Sequence, residues 1–151
     1  IIWGGDETIN QISRCLAKPT CVDLKFSNKY SYALLSVKSL KNATEDNFDQ
    51  LVINFVNDSY WFGQQACSSP RTVIWLDSDN DEDTKEKFWG RVEKNVAEFD
   101  HGLETADFVN KLFAQQQAAI EDEIQFIDSV SNLVSRVRLK NKNNKSKALH
   151  C

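Results

Sequence analysis

The sequence predicts an α/β fold built on a mostly parallel sheet, and three observations carry that prediction. Short apolar runs (IIW, TCVDLKF, YSYALLSV and RTVIWLD) alternate with longer segments whose apolar residues recur at helical spacing. Turn-forming residues punctuate them, Gly4-Gly5 after the first run and Ser68-Ser69-Pro70 before the last. With 41% hydrophobic and 11% aromatic residues over 151 positions, the chain has the material for one real core. Alternating strands and helices bury their apolar faces most simply as layers around a parallel sheet.

Taken in order, IIW reads as a strand and GGDET as a glycine turn opening a helix. Asp6 or the glycines cap that helix, and Ile9, Ile12 and Leu16 are its apolar stripe. TCVDLKF and YSYALLSV follow as two strands separated by the polar SNK. The segment 42–62 is the clearest helix: Phe48, Leu51, Val52, Phe55 and Val56 fall at i, i+3, i+4, i+7 and i+8, with Thr44 as N-cap. RTVIWLD is short and apolar enough for a buried strand. The stretch 81–99 is a second amphipathic helix, acidic at its N-terminal end, with Phe88, Val92, Val96 and Phe99 inward. A third helix spans 103–120 and is expected to resume through EIQFIDSVSNLV. SRVRLK reads as a last strand, and NKNNKSK as a solvated loop.

Charge and composition exclude several classes. A net charge of −4 lacks the basic face that nucleic-acid binding needs, and no apolar run is long enough to span a membrane. The four cysteines, Cys15, Cys21, Cys67 and Cys151, form no C-x-x-C pair, and only His101 and His150 accompany them, so no zinc pattern exists. A domain with this much apolar content does not need disulfides, which points to reduced thiols and a cytoplasmic location. The sequons at Asn42, Asn57 and Asn144 are the counter-signal. The chain contains no methionine, opens on IIW and stops at ALHC; it is expected to be a single catalytic domain over 1–151, a fragment of a larger chain.

Three stretches are candidates for chemistry. Asp77, Asp79, Asp81 and Asp83 alternate as calcium-loop ligands would. However, Glu82 stands where the loop needs glycine and Phe88 where it needs a bidentate carboxylate, so an acidic helix start is the better reading. Gly4 and Gly5 join a strand to a helix N-terminus, a junction that lets backbone N–H groups approach a phosphate but that also serves simply as a turn. The third is FGQQACSSPR. Cys67 lies between an amphipathic helix and a buried strand, at a connection of the kind where α/β enzymes place their chemistry. Gly63, Gln64 and Gln65 are small or polar neighbours, and a turn at Ser68-Ser69-Pro70 would free the Cys67 and Ser68 N–H groups for an oxyanion. Spacing leaves two readings open, a packed thiol and a nucleophile.

FGQQACSSPR resembles the nucleophile segment of the aldehyde dehydrogenase superfamily. It especially resembles that of the long-chain acyl-CoA reductase (fatty acid reductase) family of bacterial bioluminescence, in which Gln-Gln-Ala-Cys is followed by a Ser-Pro step. IIWGGDETI resembles the Trp-Gly-Gly segment of the same family, and the two occur in the family's order. The resemblance is good over about residues 1–100 and generic beyond. It implies a three-layer, aldehyde-dehydrogenase-like catalytic domain. It makes Cys67 the nucleophile and Gln65 the amide two positions before it, with Ser68 at the oxyanion site and Gly4 and Gly5 in the cofactor-facing turn.

The implied chemistry is NADPH-dependent reduction of a long-chain fatty acyl-CoA, or of an acyl group handed over by a partner enzyme, to an aldehyde through a cysteine thioester. The parent is expected to be oligomeric. One departure narrows this further. The Glu-Leu-Gly-Gly-Lys segment that activates water in aldehyde-oxidising members is absent, and VDLKFSNK, with Asp23, is its nearest counterpart. A CoA-independent aldehyde dehydrogenase and a non-catalytic α/β binding domain are the alternatives.

Overall fold

The computed structural model describes residues 1–15, 18–76, 81–98, 105–121, 124–128 and 133–139. It divides into two compact units, Ile1–Tyr30 and Ser31 onward. The class is α/β. Among the described residues its strands form three two-stranded sheets, two parallel and one antiparallel.

In the first unit, β1 (Ile2–Trp3) runs into α1 (Asp6–Ser13) and pairs in parallel with β2 (Lys25–Phe26). Ile2 N–H donates to Leu24 and Gly4 N–H to Phe26, at 2.8 and 3.2 Å. The Trp3 and Phe26 rings stack 5.3 Å apart. Ile9 is buried, whereas Ile12 of the expected stripe is exposed and Leu16 lies outside the described residues. The run TCVDLKF yields a strand of only two residues.

The second unit is built on a βαβ unit. β3 (Ser31–Ser36) leads into a short α2 (Val37–Lys41) and the long α3 (Glu45–Tyr60), and the chain returns as β4 (Pro70–Leu76), parallel to β3. Both helices are capped as their sequences dictate: Ser36 Oγ accepts from Ser39 N–H at 3.1 Å, and Thr44 Oγ1 from Asn47 N–H at 3.3 Å. α4 (Glu82–Glu98) follows β4 and packs along α3. Asp81 accepts from Thr84 N–H at 3.1 Å and pairs with Lys41 at 2.7 Å, so this member of the acidic run does the work of a helix cap. Asp77 and Asp79 lie outside the described residues.

The core sits between these helices and one face of the β3–β4 pair. Phe48, Val52, Phe55 and Val56 of α3 meet Phe88, Val92 and Val96 of α4, with Ala33, Leu35, Val73 and Trp75 packed against them from the sheet. Side chains alternate across a strand, so Tyr32, Leu34, Ile74 and Leu76 point the other way and are exposed. Outside the core, Arg91 pairs with Glu45 and Asp49, and Lys87 with Glu45 at 2.7 Å. Both cations lie over the Phe48 ring, at 4.8 and 4.9 Å.

α5 (Thr105–Glu121) forms where expected, but among the described residues no helix resumes after it. Residues Ile124–Asp128 instead form β5, antiparallel to β6 (Arg136–Leu139). The apolar residues 124, 126 and 127 fit a short strand as well as a helix, and pairing with SRVRLK decides between them. Phe126 lies under the Arg138 guanidinium at 4.8 Å, and Asp128 takes Arg136 as its partner. Arg136 and Arg138 also reach Glu86 and Glu82, fastening the hairpin to α4. Among the described residues no helix is long and apolar enough to cross a membrane.

Candidate active site

The turn between α3 and β4 carries the most chemistry. Its path follows from two consecutive left-handed residues, Gly63 with φ 57° and Gln64 with φ 61°. Glycine adopts that conformation freely, whereas for glutamine it is strained by about 1–2 kcal/mol. Local hydrogen bonds hold the turn: Gly63 N–H to Tyr60, Gln65 N–H to Phe62 and Ser69 N–H to Ala66, at 2.9, 3.0 and 3.0 Å. Ser69 is buried beneath, so Cys67 and Ser68 are pushed outward and exposed. The Cys67 thiol is free. Neither the Cys67 nor the Ser68 N–H has a hydrogen-bond partner among the described residues.

Two distant side chains pin the turn. Ser31 Oγ donates to the Cys67 carbonyl at 2.8 Å, and Gln65 Nε2 donates to Asp107 Oδ1 of α5 at 3.2 Å. An open cleft of about 390 Å³ lies alongside, with Trp61, Phe62 and Ala66 as its apolar side and Asp58, Ser68 and Ser69 among its polar residues. Cys67 does not line it, but both of its neighbours do. The thiol lies at the amino end of β4, not at the carboxyl end where ligands of open α/β sheets usually sit.

In the first unit, Gly5 is the N-cap of α1 and offers no side chain to its first-turn N–H groups. A Cβ on Gly4 would come within 3.1 Å of Thr8 Cγ2, a tight contact that the exposed threonine side chain would have to yield to. A Cβ on Gly5 would meet only Asn28 Oδ1 at 3.6 Å, an ordinary contact. Asp6 accepts from Asn28 N–H at 3.1 Å instead of capping the helix.

The sequence model of the acyl-CoA reductase (LuxC) family matches residues 1–127. This chain belongs to the LuxC family. The matched span holds the glycine turn and the cysteine turn together, and the family is one of acyl-CoA reductases. No curated protein and no solved structure matches the chain.

Membership of the LuxC family raises the question of a dinucleotide cofactor, and the glycine turn fits one. Uncapped N–H groups at the start of α1 are open donors, and Gly5 leaves room above them. Asp6 and Glu7 make the same turn acidic, which complements the positive end of the helix. Asp23 is exposed, with its Oδ1 4.0 Å from Cys21 Sγ, and it stands just before the short strand β2, as a structural strand-end carboxylate would. His101 and His150 lie outside the described residues, and those residues contain no cluster of metal-binding side chains.

Ser31 and Asp107 had no signal in the sequence. They stand 36 and 42 positions from the residues they hold, and neither belongs to a recognisable motif.

Proposed function

We propose that the chain is the catalytic domain of a cytoplasmic, NADPH-dependent reductase that converts long-chain fatty acyl-CoA, or an acyl group passed on by a partner enzyme, to aldehyde. Cys67 is its nucleophile. The observation that carries this reading is an exposed thiol on a pinned turn, beside two backbone N–H groups without partners.

The Cys67 thiolate attacks the acyl carbonyl carbon. A C–S bond forms and the carbonyl π pair moves onto oxygen. The Cys67 and Ser68 N–H groups receive that oxyanion, replacing water with fixed donors. Gln65, tethered to Asp107, keeps the turn in place. Collapse breaks the bond to the CoA sulfur, CoA leaves as thiolate, and the acyl group stays on Cys67. Gly4, Gly5 and the first turn of α1 would hold the cofactor, and a bound nicotinamide dinucleotide supplies hydride to a thioester. The lack of a Glu-Leu-Gly-Gly-Lys segment favours reduction over oxidation, because a thioester awaiting hydride must be kept from activated water.

The exposed apolar face of β3–β4 supports the three-layer architecture. Strands of a parallel sheet are normally covered on both faces, and Tyr32, Leu34, Ile74 and Leu76 are apolar where a second helical layer would lie.

The test is single-turnover acylation of the full-length protein with radiolabelled long-chain acyl-CoA, followed by peptide mapping. One equivalent of CoA should be released per protein chain, with label on the peptide containing Cys67. Cys67→Ala should abolish both. Label that survives in that variant refutes the assignment.

A further inference from the structure

We propose that Ser31 is a positioning residue for acyl transfer, orienting the Cys67–Ser68 peptide so that the Ser68 N–H faces the incoming carbonyl oxygen. The inference rests on the reading of Cys67 as nucleophile.

The argument begins with peptide geometry. The bond between Cys67 and Ser68 is trans, so the Cys67 C=O and the Ser68 N–H lie in one plane and point in opposite directions. Fixing one fixes the other. Ser31 Oγ holds the Cys67 oxygen at 2.8 Å, on the β3 side of the turn. The Ser68 N–H is thereby turned away from β3, where no other described group takes it. Without the Ser31 hydroxyl this peptide could rotate and exchange its donor for its acceptor, presenting a carbonyl dipole of the wrong sign to a developing oxyanion.

The strand is built to aim that hydroxyl. Ser31 pairs with Pro70, and the register slips between Ser31 and Tyr32. Such irregularities re-aim a side chain at the end of a ladder. Pro70 has no N–H of its own to donate, and the Ser31 side chain adds to the backbone pairing at this end of the ladder a bond that reaches into the turn.

A residue that only fastens the strand end would affect every reaction of Cys67 alike, whereas one that aims an oxyanion donor would affect acyl transfer alone. The experiment therefore compares two reactions of the same thiol in the full-length protein. One is acylation by long-chain acyl-CoA, which builds an oxyanion; the other is alkylation by iodoacetamide, which builds none. Ser31→Ala should slow acylation about tenfold or more, since loss of a whole oxyanion donor costs about 10²–10³-fold. Alkylation should stay within about twofold, and Ser31→Thr should restore acylation. Ser31→Thr and Ser31→Val form a second pair, matched in shape and strand preference and differing only in the hydroxyl. Acylation within about twofold of wild type in the Ala or Val variant overturns the inference alone. So does a parallel fall in both reactions, or a Thr variant as slow as Val. Acyl label on a residue other than Cys67 in the wild type overturns the nucleophile assignment and this inference with it.

Discussion

Replacing Phe88 by alanine should remove most of what joins the two long helices to the sheet. Phe88 is wholly buried, and its ring makes edge contacts with Phe55 of α3, Trp75 of β4 and Trp89, at centroid distances of 5.2, 5.4 and 5.2 Å. An aromatic side chain of this kind buries about 150–250 Å². At about 25 cal/mol per Å², that burial is worth ~4–6 kcal/mol as an upper bound. Phe→Ala substitutions in cores cost about 3–5 kcal/mol. We therefore expect a loss of ~4 kcal/mol, a large part of the ~5–15 kcal/mol that holds an ordinary domain folded. Urea unfolding followed by tryptophan emission is the assay, because Trp75 and Trp89 report from either side of the cavity. Ile53→Ala, on α3 but 40% exposed, is the control and should cost less than about 1 kcal/mol. A Phe88→Ala cost below about 1.5 kcal/mol, or one matched by Ile53→Ala, would refute the placement of the core.

Glu45 is pulled down to about 2, first by its hydrogen bond from Lys87 and then by that from Arg91. A depressed carboxylate stabilises the fold above its ordinary range and loses that contribution as pH falls toward its folded value. The stability advantage of wild type over Glu45→Gln should therefore be constant near neutrality and vanish between about pH 4.3 and pH 2. It should also shrink in 1 M salt, and a difference that ignored pH in thermal melts would count against these ion pairs. At Gln64 the usual order of residues should reverse: Gln64→Gly should be more stable than Gln64→Ala by about 1 kcal/mol, because only glycine takes φ 61° without strain. Equal melting temperatures for the two variants would show that the turn relaxes to another path.

What could be read from the sequence was what depends on local order. The stripe Phe48, Val52, Phe55, Val56 and the acidic start of α4 repeat at spacings that only a helix satisfies, and both helices formed accordingly. Cys67 stood out because its neighbours are wrong for a core thiol, and it is indeed exposed. The failures have a physical pattern. Residues 124–128 are apolar over too short a stretch for periodicity to separate strand from helix, so the β6 partner decided the matter. α2 is a five-residue helix set by one Ser36 cap, below the length at which a stripe can be seen. Ser31 and Asp107 reach the cysteine turn only after β3 and α5 are in place, and no spacing rule connects them to it.

The position of that turn also explains why tertiary contacts matter so much there. Cys67 follows the C-terminal end of α3, whose carbonyls carry the negative pole of the helix dipole. A nucleophile at a helix N-terminus receives donors from the helix itself, but one at this end receives none. The N–H groups of the turn are the nearest donors to any negative charge there, and a turn of small and polar residues has little packing of its own to hold them in register. The left-handed pair Gly63-Gln64 bends the chain into that turn, at the cost of strain at Gln64. The Ser31 and Asp107 contacts then remove the freedom that such a bend would otherwise leave. On this view the βαβ unit serves the site by bringing the first residue of β3 beside the residues that precede β4. A change at Ser31 should accordingly be felt at the reacting carbonyl, although Ser31 itself touches only a backbone oxygen.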